Sequence, residues 1–132
     1  MYDPFKIFTA ISLFLLPTVM FGGYSLLRLI PKAKLTPEQH AWFRAGHAHA
    51  GVLLVLSLVV FDIASRTTMS IAPRWVVCIT LLLGALAQSG GMFLHMAFGK
   101  QGAWSSGNTV TVVGAVLLAT GTVIAGAAVV AA

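Results

Sequence analysis

Charge is what this sequence has least of. Only 8% of its 132 residues are charged, with three acids against eight lysines and arginines, while 58% are hydrophobic. A soluble domain carries roughly 25% charged residues, so a water-exposed globular surface is excluded for most of the chain. A single cysteine, Cys78, excludes an internal disulfide, and no Cys-x-x-Cys-His run offers covalent attachment to a c-type haem. Inside an apolar stretch that thiol reads as a small packing group. No A-x-A-like cleavage site follows the first apolar run, which is also too long for a signal-peptide core, so it reads as a retained span. Internal repeats are missing as well.

What is there is apolar length. Residues 5–30, 45–64, 75–98 and 109–130 each reach the roughly 20 residues that cross a hydrocarbon core. Little chain lies between them, so residues 1–132 read as one membrane domain without a soluble module. Lipid offers the backbone no partner, which makes the spans helical, and short connections make neighbours antiparallel. The expected fold is all-α, an integral membrane four-helix up-down-up-down bundle. The cations gather at span ends, which points to membrane topology rather than to nucleic acid. Arg28, Lys32, Lys34, Arg44 and Lys100 fall on the side of the first and third connections, and Lys6, Arg66 and Arg74 on the other. Five against three favours a cytoplasmic first connection, in a multi-pass protein of a bacterial cytoplasmic membrane.

Local signals divide the chain further. Pro17 marks an expected kink in the first helix. Thr36-Pro37-Glu38-Gln39 reads as a capped start with proline at the first helical position. A helix from Pro37 to Ala64 is about 42 Å long at about 1.5 Å per residue. That places His40 at the headgroups, Arg44 at the interface, and His47 and His49 just inside. Pro73 is expected to start the third helix and Asn108 to cap the fourth. Gly107, Thr111, Gly114, Gly121 and Ala125 line the fourth helix as a small-residue seam for another helix, in this chain or in a neighbouring subunit. Asp62 and Arg66, four residues apart, read as an interfacial ion pair.

One half of the bilayer collects the polar residues: Tyr24, Arg28, Arg44, His47, His49, Gln88 and His95. Intramembrane ionisable groups usually face a bundle interior or cavity and mark function. His40, Arg44 and His47 share a helix face, whereas His49 lies about 200° round from His47, so the two cannot chelate one ion from a regular helix. Gly84, Gln88, Gly91 and His95 form one stripe that leaves room for a flat group. Imidazoles at this depth, small neighbours and no covalent attachment point to non-covalent haem b, with an axial histidine. Arg44, backed by Lys32 or Lys34, would meet the propionates. Tyr24, Gln88 and Gly91 complete the candidate cofactor-binding set, and His47, His49 and His95 are the candidate iron ligands. The plainer alternative is that the histidines are hydrogen-bonding glue between helices. A bare zinc site is poorly supplied, since no carboxylate or thiol is expected in this layer.

Ala41-Trp42-Phe43-Arg44-Ala45-Gly46-His47, leading into an apolar helix, resembles the corresponding segment of styrene oxide isomerase, as does Gly90-Gly91-Met92-Phe93-Leu94 more weakly. The resemblance implies a homotrimer with haem b held by one axial histidine, whose ferric iron acts as a Lewis acid and rearranges a small hydrophobic epoxide to an aldehyde. This sequence has one extra residue between arginine and histidine, so either His47 or His49 can take the axial place; His47 is preferred because it follows the Arg-Ala pair and shares a face with Arg44. The family's catalytic asparagine has no counterpart here, Leu53 and Leu54 occupying that region, and its tyrosine falls near Phe93, which cannot donate a hydrogen bond. The alternative function is a bis-histidine haem protein for electron transfer or haem handling, with His95 as second ligand, or a small membrane subunit binding a simple metal ion.

Overall fold

Each helix begins where a side chain or a proline deals with its first free N–H groups. The computed structural model describes residues 3–29, 31, 32 and 35–132. Ile30, the expected end of the first span, and Lys34, one of the two lysines placed behind Arg44, lie outside the described residues. The helices are α1 (Pro4–Leu29), α2 (Pro37–Ser65), α3 (Ile71–Phe98) and α4 (Ser106–Val130). All four are long and apolar enough to cross a membrane, and they form the expected up-down-up-down bundle.

At α2 the capping box forms as read: Gln39 N–H donates to Thr36 Oγ1 at 3.2 Å and Thr36 N–H to Gln39 Oε1 at 2.9 Å. Pro17 lies inside the first helix, and two helix starts differ in detail. The third starts at Ile71, two residues before Pro73, because proline is tolerated in a first turn whose N–H groups have no intrahelical acceptor. Ser105 rather than Asn108 precedes the fourth. Asn108 sits three residues on and accepts from Ser105 N–H at 2.9 Å, so it is the reciprocal partner of the cap.

α2 and α3 occupy the middle of the bundle, α1 flanks them on one side and α4 lies against α3 on the other; among the described residues α1 and α4 do not meet. The apolar core gathers Phe5, Phe61, Val77, Cys78, Leu81, Ala85 and Leu118. Cys78 is fully buried within it, as its apolar setting implied. Elsewhere large apolar side chains face outward, with Phe14 79% and Val123 69% exposed, which suits surfaces that meet lipid rather than water.

The seam on α4 closes on α3 of the same chain. A Cβ added at Gly107 would lie 2.5 Å from the His95 backbone nitrogen and 2.6 Å from the Gly91 carbonyl. One at Gly121 would lie 2.8 Å from Leu81 Cγ, and one at Gly84 would lie 2.9 Å from the Leu118 backbone nitrogen. As numbers rise on α4 they fall on α3, the register of an antiparallel pair. The glycines at 107, 114 and 121 recur every seven residues, the repeat of a left-handed crossing. The space expected beside Gly84, Gln88 and Gly91 for a flat group is therefore filled by the backbone of α4.

At the other end of the bundle Arg74 ties α3 to the preceding turn and to α1. Its Nε donates to the Met69 carbonyl at 2.8 Å, Nη2 to the Thr67 carbonyl at 3.3 Å and Nη1 to Asp3 Oδ2 at 3.4 Å. The guanidinium also lies over the Phe5 ring, 5.4 Å from its centroid. Arg74→Ala should lower stability by about 1–2 kcal/mol in thermal unfolding, since it strands partly buried partners. The Asp62–Arg66 pair exists as expected at 2.6 Å, but its side chains are 62% and 74% exposed. Asp62→Asn should cost no more than about 0.5 kcal/mol in the same assay.

Candidate functional site

His47, at the third turn of α2, faces α1. Its ring occupies the space that Gly23 leaves: a Cβ there would stand 2.5 Å from Nε2 and 2.8 Å from Cε1. Among the described residues the half-buried imidazole is the one polar side chain lining a groove of about 470 Å³ between the two helices, whose walls are Leu16, Val19, Met20, Ala48, Gly51, Val52 and Val55. Gly23→Val should displace the imidazole while leaving the α3–α4 seam intact. The expected result is loss of whatever His47 binds, at unchanged helicity, read by ligand content and circular dichroism.

His49 is half-buried and engaged differently. Its Nδ1 lies 2.8 Å from the Ala45 carbonyl, four residues earlier. A carbonyl only accepts, so Nδ1 carries the hydrogen and Nε2 the lone pair. The two histidines stand on different sides of α2, as helix geometry requires. Arg44 is exposed on the His47 side of the helix, one turn nearer the first connection. Tyr24 is 53% exposed, and Arg28 lies over its ring at 5.1 Å from the centroid; Lys32 is exposed. These cations form the rim of the bundle at this end, outside the apolar groove.

His95 belongs to a second cluster. Only 4% exposed, its ring stacks against Trp42 at 4.4 Å between centroids. Nδ1 lies 2.7 Å from Ser105 Oγ, and Nε2 lies 3.7 Å from Glu38 Oε1. Gly102 N–H donates to the same carboxylate oxygen at 3.3 Å, and Gln39 Nε2 donates to the Met96 carbonyl at 3.2 Å. A cavity of about 100 Å³ opens beside them, lined by Glu38, Trp42, His95, Gly99 and Gln101 among others. His95 is turned toward Ser105 at the start of α4, whereas His47 faces α1. The expectation of a layer free of carboxylates is corrected by Glu38.

Nor do the residues matched to the family's catalytic pair face the groove. Leu53 and Leu54 are buried in helix packing at 9% and 3% exposure. Phe93 packs edge-on against Phe43 at 5.2 Å between centroids, and its ring carbons come within 3.2 Å of where a Cβ of Gly46 would be. Gln88 contributes its carbonyl, which accepts from Thr111 Oγ1 at 3.4 Å. Gly91 is covered by Gly107 and Thr111. Among the described residues, no three His, Cys, Asp or Glu side chains come together to hold a metal ion.

Fold and sites together define a multi-pass helical membrane protein with two separate polar sites in one half of its bundle. Comparison with models of known families, with curated proteins and with solved structures finds no match.

Proposed function

We propose that this chain binds haem b non-covalently in the α1–α2 groove, with His47 as the axial ligand. The observation that carries the reading is the His47 imidazole, cradled over Gly23 in an otherwise apolar groove, with no hydrogen bond to either ring nitrogen among the described residues. Histidine in a span is costly unless a partner satisfies it. The groove suits a flat apolar group, since Gly51 leaves one wall without a side chain and Leu16, Val19 and Met20 make the facing wall apolar. Arg44 stands one turn nearer the interface, where it would pair with propionates. Ferric haem b, when bound, supplies a Lewis acid.

By the resemblance to styrene oxide isomerase, the reaction is isomerisation of a small hydrophobic epoxide to an aldehyde, in a homotrimer. Among the described residues His95 bonds toward α4 and no three metal-donor side chains converge, which supports a single histidine ligand over the bis-histidine and simple-metal alternatives. Epoxide turnover tests the reading: the purified chain, given an aryl epoxide, should release the aldehyde without any redox partner, and His47→Ala should release none. A haem-loaded chain that leaves the epoxide unchanged would refute the isomerase assignment while leaving haem binding in place.

One observation favours His49 instead. Its Nδ1–H bond to the Ala45 carbonyl fixes the tautomer with a free Nε2 lone pair, the arrangement metal-ligating histidines commonly show.

A further inference from the structure

We propose that Glu38 and His95 form a proton-binding site that pins the ends of α2, α3 and α4 together. The argument is a donor count. Asn108 Oδ1 accepts the Ser105 backbone N–H at 2.9 Å, which identifies that atom as the amide oxygen. The Ser105 hydroxyl donates to the same oxygen at 2.9 Å, and it has only one proton to give. At 2.7 Å from Ser105 Oγ, His95 Nδ1 must therefore be the donor. A neutral imidazole then has its lone pair on Nε2.

That lone pair faces the Glu38 carboxylate at 3.7 Å, beside a cavity and on a side chain 4% exposed. Two acceptors cannot satisfy each other in such a place. One proton between them, on the imidazole or on the carboxylate, turns the repulsion into an ion pair or a direct hydrogen bond. The same donor count removes another reading of these residues. Serine, histidine and glutamate have the composition of a hydrolase triad, but the serine proton is committed to Asn108.

The groups that face His95 are few. Glu38 and Trp42 come from α2, Ser105 from the cap of α4, Gly99 from the end of α3, and Gln101 lines the cavity from the third connection. Lys100 is exposed, and the first turn of α4 carries no acid. No described residue of α1 lines the cavity. Glu38 is thus the one charged partner among them, and its oxygen also holds Gly102, whose φ is +70°. With the proton bound, the first turn of α2 is tied to the last turn of α3 and to the third connection. Without it, the carboxylate and the lone pair push these ends apart.

Hydrogen exchange of the full chain in lipid nanodiscs tests this, from about pH 5 to about pH 9, which brackets imidazole titration. After correction for intrinsic base catalysis, amides of residues 99–105 should exchange about tenfold faster at the alkaline end. Glu38→Gln, whose amide donates to the lone pair, should abolish that step while keeping the protection. An unchanged step in Glu38→Gln would overturn the proposal. So would alkaline protection that zinc restores and a chelator removes, since a metal ion would then be the bridging cation. Should the variant fail to fold, imidazole ¹⁵N spectra of the wild type decide. Two protonated nitrogens at His95, or Nε2 hydrogen-bonded to a carboxylic acid, support the proposal, and a free Nε2 lone pair at neutral pH overturns it.

Discussion

Gly114→Leu is expected to unseat α4 and to be the most destabilising single change in the bundle. A Cβ at residue 114 would fall onto the Gln88 backbone nitrogen and lie 2.7 Å from its Cα. Backbone atoms cannot rotate aside as a side-chain tip does, so the helices must separate. Their separation would break the approaches at Gly107 and Gly121 as well, because all three glycines share one seam. Overpacking of this kind costs about 3 kcal/mol or more, and in lipid no hydrophobic term drives the helices back together. Gly90 supplies the contrast on α3, since nothing lies within 4 Å of where its Cβ would be. Gly90→Ala should be neutral or stabilising by up to about 1 kcal/mol, the ordinary helix preference for alanine. Thermal unfolding in detergent, followed by circular dichroism, separates the two. Equal effects would mean that the seam does not hold the helices at the depth described.

His47→Ala is expected to have the largest effect on ligand content. If His47 is the axial ligand, its removal should lower haem affinity by more than the roughly 100-fold that loss of a supporting hydrogen bond costs at a metal site. The purified variant should then carry almost no haem, with its helices unchanged. His49→Ala should keep most of its haem, because that ring bonds to its own helix and no part of the groove is built on it. The reverse pattern, full haem in His47→Ala and none in His49→Ala, would move the site to the other side of α2. Loss in both variants would point to His49 as a support for the site rather than to two ligands on one ion, since the helix separates the rings.

The features legible in the sequence are those set within a few residues. The Thr36–Gln39 box, the Asp62–Arg66 pair and the opposed directions of His47 and His49 depend only on helical spacing, and each stands as read. Stripes were legible but their occupants were not. Glycines at 84 and 91 announce a close approach, yet spacing alone does not distinguish a cofactor from a helix, and the filler is α4. Glu38 and His95 lie 57 residues apart and meet only because α2 and α3 are antiparallel with their first-connection ends level. One signal did bear on it: Glu38 stands four residues before Trp42, which places both on one face of α2. Residue type does not separate Ser105 from Asn108 as the cap of α4, since both are good caps, and their reciprocal use depends on the backbone path.

The central claim, haem b held at His47, rests most directly on the visible absorption spectrum of the wild-type chain, extracted and purified in mild detergent. A Soret band with a high-spin ferric signature is predicted, from one imidazole on the iron and an open opposite face. A chain purified without loss of haem that shows no Soret band would contradict it.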